Sequence, residues 1–275
     1  MIIDFVKTTG AGNDFVLVDN RSGNYKLDWV TLAPRICNRR YGIGADGILI
    51  VETNSKATFT MVYYNADGTY GMCGNGGRCA ALYVMDSEKL NQVTFDAFGH
   101  TYTCERLTQE RLQLRMKDPK DIRLNMRLDV HNQTLPVHFI DTGAPHAVLL
   151  FDELPEQLVE EIENQGINEI GREVRRAELF APDGANVNIV KVIDKNSISL
   201  RTYERGVEDE TLACGTGSVA SAIVGSIVRG LTSPVIVNTR SNERLKVSFR
   251  LEGETPRFVF LEGAAKMVFT GQFVV

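Results

Sequence analysis

Hydrophobic and polar positions alternate with a period of two along much of the chain. Residues 57–68 (ATFTMVYYNADG) and 197–206 (SISLRTYERG) are β-branched and aromatic runs that end at a glycine turn, the pattern of strands. Residues 93–116 and 234–249 return to this alternation, with turn signals at Phe98-Gly99 and Ser241-Asn242. Two runs break it. From 79 to 85 and from 218 to 228 small residues dominate, apolar positions fit helical spacing, and no proline intervenes. A helix that is apolar nearly all round must be wrapped by other elements. The pattern therefore predicts an α+β chain in which a mixed, barrel-like sheet surrounds a central helix, twice over.

The doubling is legible as a faint internal repeat. Residues 9–19 read TGAGNDFVLVD and residues 142–152 read TGAPHAVLLFD, identical at Thr9, Gly10, Ala11, Leu17 and Asp19. GADGILIV from Gly44 resembles GANVNIVKV from Gly184, and YYNADGTYGMCGNG from Tyr63 resembles TYERGVEDETLACGTG from Thr202. The offset grows only from 133 (Thr9 to Thr142) to 141 (Cys73 to Cys214), so Cys73 stands opposite Cys214. A duplicated unit explains this. Two pseudo-symmetric domains are expected, 1–117 with 265–275 and 118–264, with the active site in the cleft between them.

Composition narrows the classes of function. The 275 residues are 43% hydrophobic, enough for substantial cores. The net charge of −5 is spread over mixed-sign segments, with no basic run longer than Arg39-Arg40 or Arg175-Arg176, so no nucleic-acid footprint is present. Charged residues within MIIDFVKTTG argue against a signal-peptide core, and no long apolar stretch follows, so no membrane partner and a cytoplasmic location are expected. Five cysteines at 37, 73, 79, 104 and 214 are odd in number and irregular in spacing, a poor disulfide framework. The spacing of Cys73 and Cys79 is not that of a zinc knuckle, and no metal site is expected.

Two cysteines carry the chemistry. Cys73-Gly74-Asn75-Gly76-Gly77 and Cys214-Gly215-Thr216-Gly217 each put a cysteine before glycines and a helix. Free N–H groups and the helix dipole at such a place suit a carboxylate and favour thiolate over thiol. Removing a proton from an α-carbon and returning one to the opposite face needs a base and an acid on either side of a carbanion. Two symmetry-related cysteines supply that pair, and N–H donors from both loops would stabilise the carbanion without a cofactor. Cys37, Cys79 and Cys104 lack matched partners and read as structural.

The runs NADGTYGMCGNGGRCAA and YERGVEDETLACGTGSVASA, with GNDFVLVD near the start, resemble the signatures of the diaminopimelate epimerase family. The wider fold family includes proline racemases, which carry a histidine where Asn75 stands, and a phenazine-biosynthesis isomerase without the cysteine pair. The resemblance implies a cofactor-independent epimerase that converts LL-diaminopimelate to the meso form in lysine and peptidoglycan precursor synthesis, as a homodimer. It implies Cys73 and Cys214 as the bases, assisted by His146 and Glu204. Asn13, Asn65, Asn186 and Arg205 would hold the distal head of the substrate, and Gly74, Asn75, Gly215 and Thr216 its reacting carboxylate.

Two departures bear on distal specificity. Many members have Asn-Pro-His where this chain has Ala144-Pro145-His146, with Asn188 nearby as a replacement contact, and some carry glutamine at the position of Gly47. Three alternatives stay open on the sequence: a proline racemase-like enzyme, a non-catalytic amino-acid binding protein, and a thiol redox sensor.

Overall fold

The computed structural model describes residues 1–131 and 133–275. The chain divides into two units, Met1–Arg115 with Glu262–Val275, and Met116–Leu261. Each is α+β.

In the first unit, the strands Ile2–Gly10, Asn13–Asp19, Gly47–Glu52, Phe59–Asn65, Gln92–Ala97, His100–Arg106 and Arg111–Arg115 follow one another across the sheet. The strand Lys266–Val274 adds to the free side of Ile2–Gly10 and runs antiparallel to it. Asn13–Asp19 with Gly47–Glu52 and Phe59–Asn65 with Gln92–Ala97 are parallel, and the other pairs are antiparallel. Helix α1 (Trp29–Cys37) fills the first crossover and packs Leu32, Ala33 and Ile36 against Ile48 and Ile50. Helix α2 (Gly74–Glu88) fills the second. Every position of α2 from Gly74 to Met85 is buried except Tyr83, and strands of its own unit touch it from several sides.

The second unit repeats this order and sense. Lys120–Val130, Gln133–Asp141 and Pro145–Leu150 run antiparallel in turn, Asn186–Asp194 joins in parallel, Ser197–Glu204 in antiparallel, Val235–Asn238 in parallel and Arg244–Glu252 in antiparallel. Its first crossover holds two amphipathic helices, α3 (Glu156–Gln165) and α4 (Asn168–Arg175), and its second holds α5 (Gly215–Arg229). Leu158, Ile162, Ile170 and Val174 bury the apolar faces of α3 and α4 against Val187, Ile189 and Tyr203. Both central helices are 15 residues long and end on a left-handed residue, Lys89 after α2 and Gly230 after α5. None of the described helices is long and apolar enough to cross a membrane.

Candidate active site

Each central helix begins at a cysteine. Cys73 caps α2 with φ −125° and ψ 118°, and Cys214 caps α5 with φ −120° and ψ 116°. The sulfur accepts from the third helical N–H in both units, Gly76 at 3.5 Å and Gly217 at 3.4 Å. The cysteine carbonyl takes the fourth, Gly77 at 2.8 Å and Ser218 at 2.9 Å. The N–H groups of Gly74, Asn75, Gly215 and Thr216 are the orphan donors of the two first turns. Each loop thus presents a sulfur beside two N–H groups, at the positive end of a helix dipole. The five cysteines carry thiols; Cys214 is buried and Cys73 half-buried.

There is little room for a side chain next to either sulfur, least of all at Gly217. A Cβ on Gly217 would lie 2.4 Å from Asn188 Oδ1 and 3.3 Å from Cys214 Sγ, and one on Gly76 would lie 2.9 Å from Leu49 Cδ2. Around Cys214, Ser218 Oγ donates to the Cys214 carbonyl at 2.8 Å, and Thr216 Oγ1 is 3.5 Å from the sulfur. Thr142 Oγ1 donates to the Thr216 carbonyl at 3.2 Å, tying the turn that precedes Pro145–Leu150 to the first turn of α5.

In the first unit Asn75 and Asn13 are brought together. Asn75 Nδ2 donates to Asn13 Oδ1 at 2.8 Å, and Asn13 Nδ2 donates to Asp46 Oδ2 at 3.0 Å. Asn65 is placed differently. Its side chain accepts from the Tyr63 hydroxyl at 2.7 Å and donates to Thr69 Oγ1 at 2.9 Å, so it builds the turn after its strand, and no hydrogen bond joins it to Asn13 or Asn75. Gly47, its partner across the ladder, lies against the Tyr63 ring, where a Cβ would meet Tyr63 Cε2 and the Tyr64 carbonyl, each at 2.5 Å.

In the second unit His146, Asn186, Glu204 and Arg205 gather at one end of three neighbouring strands. Asn186 Nδ2 donates to the Pro145 carbonyl at 3.1 Å, and its Oδ1 accepts from the Arg205 N–H at 2.9 Å. Thr211 Oγ1 donates to Glu204 Oε1. The half-exposed Arg205 guanidinium makes no hydrogen bond or ion pair among the described residues.

His146 is fully buried. Asn188 accepts from Thr202 Oγ1 at 3.1 Å and donates through Nδ2 to the Ala147 carbonyl at 3.1 Å, which fixes its amide and presents Nδ2 to His146 Nδ1 at 3.0 Å. His146 Nδ1 therefore accepts, and the imidazole proton sits on Nε2, which has no partner among the described residues. Burial, with the charge of Arg205 added, pushes the His146 pKa down to about 3. The ring is a neutral N–H donor at neutral pH.

Two positions depart from what the sequence suggests. Asn188 does not replace a distal contact, because its buried amide is spent on His146, Ala147 and Thr202. A polar residue inside the apolar run NVNIV is its visible signal. Arg78 has no role in the sequence reading, although it is a lone charge in a run of small helical residues, and it is fully buried behind Asn75.

The α+β fold of the chain recurs in solved structures of proteins with little sequence identity to it. It superposes on a phenazine biosynthesis protein of the PhzF family from Bacillus anthracis (TM-score 0.72, 14% identity, 100% of both chains). It superposes equally on a probable proline racemase from Agrobacterium radiobacter (TM-score 0.72, 13% identity, 99% of this chain and 93% of that one). Residues 5–116 and 138–268 match the family model described as diaminopimelate epimerase. The diaminopimelate epimerase of Chlorobaculum tepidum is 40% identical over 96% of this chain and 98% of its own, and that of Aquifex aeolicus 36% identical over 98% and 97%. The chain belongs to the diaminopimelate epimerase family and is an isomerase.

Proposed function

We propose that the protein epimerises LL-2,6-diaminopimelate to the meso isomer by two-base proton transfer, with Cys73 and Cys214 as thiolate and thiol. The observation that carries this reading is the identity of the two caps. Two cysteines at matched repeat positions share backbone angles, an N–H donor to sulfur and two orphan N–H groups. The reading requires the two thiols to flank one α-carbon. The thiolate takes the α-proton, the thiol returns one to the opposite face, and the roles are then exchanged.

The carbanion is the difficult species. Charge spreads onto the α-carboxylate, which the N–H groups of Gly74, Asn75, Gly215 and Thr216 receive, so that donors are in place before charge develops. No pyridoxal phosphate is needed for this route. His146 is fitted to donate through Nε2 rather than to exchange protons, since it is neutral across the working range. Arg205 suits the distal carboxylate, its planar fork being uncommitted. Asn13 keeps one N–H and one lone pair for the distal head. The same family likeness supports a cytoplasmic homodimer supplying lysine and peptidoglycan precursors.

The test uses purified protein and LL-diaminopimelate in D2O, with no pyridoxal phosphate, metal or nicotinamide added. Solvent deuterium should enter the α-position as the meso isomer forms, and Cys73→Ala or Cys214→Ala should each slow conversion by about a thousandfold. Exchange into proline but not diaminopimelate would overturn the substrate assignment.

A further inference from the structure

Asn13 owes the orientation of its amide to a side chain that the proposed chemistry does not use. Its backbone is fixed by a two-residue hairpin: Gly10 pairs with Asn13, Ala11 and Gly12 take left-handed φ values of 53° and 93°, and Thr9 Oγ1 donates to the Asn13 carbonyl at 2.9 Å. The hairpin leaves open the sense of the side-chain amide, whose oxygen and nitrogen exchange places by a half-turn about its last bond. Such a turn would exchange the acceptor and the donor that Asn13 offers a ligand.

We propose that Asp46 is a positioning residue for recognition of the distal head of the substrate: its carboxylate holds the Asn13 amide in the one sense that the head reads. The role of Asn13 at that head rests on the proposed function.

Asp46 is itself held at both oxygens. Its Oδ2 accepts from Asn13 Nδ2 at 3.0 Å and from the Asp14 N–H at 3.1 Å, and its Oδ1 accepts from Arg39 Nη2 at 2.7 Å. Its backbone N–H donates to the Asp14 carbonyl at 2.9 Å and its carbonyl accepts from the Ala66 N–H at 3.0 Å, which anchors the residue just before the strand Gly47–Glu52 begins. The acceptor therefore reaches Asn13 from a rigid support.

The other end of the Asn13 amide is gripped as well. Its Oδ1 accepts from Asn75 Nδ2 at 2.8 Å, and the buried Asn75 accepts in turn from Arg78 Nη2 at 2.7 Å. A guanidinium only donates and a carboxylate only accepts, so the row from Arg78 through Asn75 and Asn13 to Asp46 has one possible sense. Turning Asn13 would set its oxygen against the Asp46 carboxylate and its nitrogen against the nitrogen of Asn75. Turning both amides would set Asn75 Nδ2 against the Arg78 guanidinium.

The second unit uses the same device. The repeat sets His146 opposite Asn13, and His146 is oriented by Asn188 of the next strand, Nδ2 to Nδ1 at 3.0 Å. In each half, a side chain from the element that follows in the sheet fixes which hydrogen-bonding groups the residue after the turn presents.

The test is a double-variant cycle. It is read by steady-state kinetics on LL-diaminopimelate and by the side-chain ¹⁵N–¹H₂ signals of Asn13, assigned by their loss in Asn13→Ala. Asp46→Ala should raise KM about tenfold and leave kcat within about twofold, the signature of lost binding rather than lost chemistry. Added to Asn13→Ala, it should raise KM by no more than about twofold further, because Asp46 acts through Asn13. The exposed Arg39 is the control: Arg39→Ala removes the ion pairs to Asp14 and Asp46 but leaves the acceptor, so KM should stay within about twofold of the wild type. The Asn13 amide signals should shift in Asp46→Ala and hold in Arg39→Ala. If Asp46→Ala fails to fold, Asp46→Ser is carried through the same cycle. Unmoved amide signals, an unchanged KM, a fall in kcat in place of the KM rise, or KM effects that multiply in the double variant would overturn the proposal. So would a KM rise in Arg39→Ala as large as in Asp46→Ala, which would make the loop rather than the carboxylate responsible. Absence of epimerisation in the wild type would instead sink the epimerase reading, and the amide signals would still decide whether Asp46 holds Asn13.

Discussion

Asn188 Nδ2 lies 3.0 Å from Nδ1 of His146, and both side chains are fully buried. The contact decides which ring nitrogen carries the proton, and hence what His146 offers a ligand. Asn188→Asp would present an acceptor to Nδ1 and move the proton there, leaving Nε2 without one. Conversion should fall by about tenfold to a hundredfold, and the ¹⁵N shifts of the imidazole should report the exchanged tautomer. Unchanged shifts would show that Asn188 does not set it.

The depressed pKa of His146 also predicts a pH dependence of stability. Its folded value is about 3 against an ordinary 6.5, so between these the unfolded chain binds a proton that the folded one does not. Stability from this group is fully present above about 6.5 and is lost as pH falls toward 3. Urea midpoints measured from about pH 7 to about pH 4 should decline more steeply for the wild type than for His146→Gln.

Glycines of α5 and its cap separate site from scaffold. Gly217→Ala would press a methyl group against Asn188 and Cys214, and activity should collapse. Gly230→Ala opens onto empty space but keeps a left-handed residue at φ 70°, so it should cost about 1 kcal/mol of stability and leave turnover unchanged. Calorimetry with steady-state rates on both variants checks the contrast.

Much of the fold was legible because apolar periodicity and the repeat agree. The strands around Tyr63 and Tyr203 and the helices after Cys73 and Cys214 follow from them. Helix α1 was hidden by Pro34 in its interior, and α3 and α4 lie in a charged stretch whose apolar faces have only two or three buried positions each. At the candidate site, the cysteines and their glycines could be read because backbone geometry demands those residue types. The turn-building role of Asn65 and the spent amide of Asn188 could not, because the partner of an amide is a property of packing. Arg78 stood in plain view, but its burial depends on strands distant in sequence.

Gly47 gives a prediction about the position where some members of the family carry glutamine. Its space is filled by the Tyr63 ring, so Gly47→Gln should destabilise the protein by roughly 1–3 kcal/mol through overpacking, measurable as a lower urea midpoint. Combining it with Tyr63→Ala should recover part of the steric loss.

The central claim is that two separate thiols serve opposite faces of one α-carbon. It is tested most directly by the position of label at early conversion of LL-diaminopimelate in D2O. The two-thiol account predicts deuterium at the inverted centre of the meso product and none in recovered LL substrate, because each face has its own proton carrier. Equal labelling of product and recovered substrate from the first turnovers would show a single base serving both faces, and would contradict it.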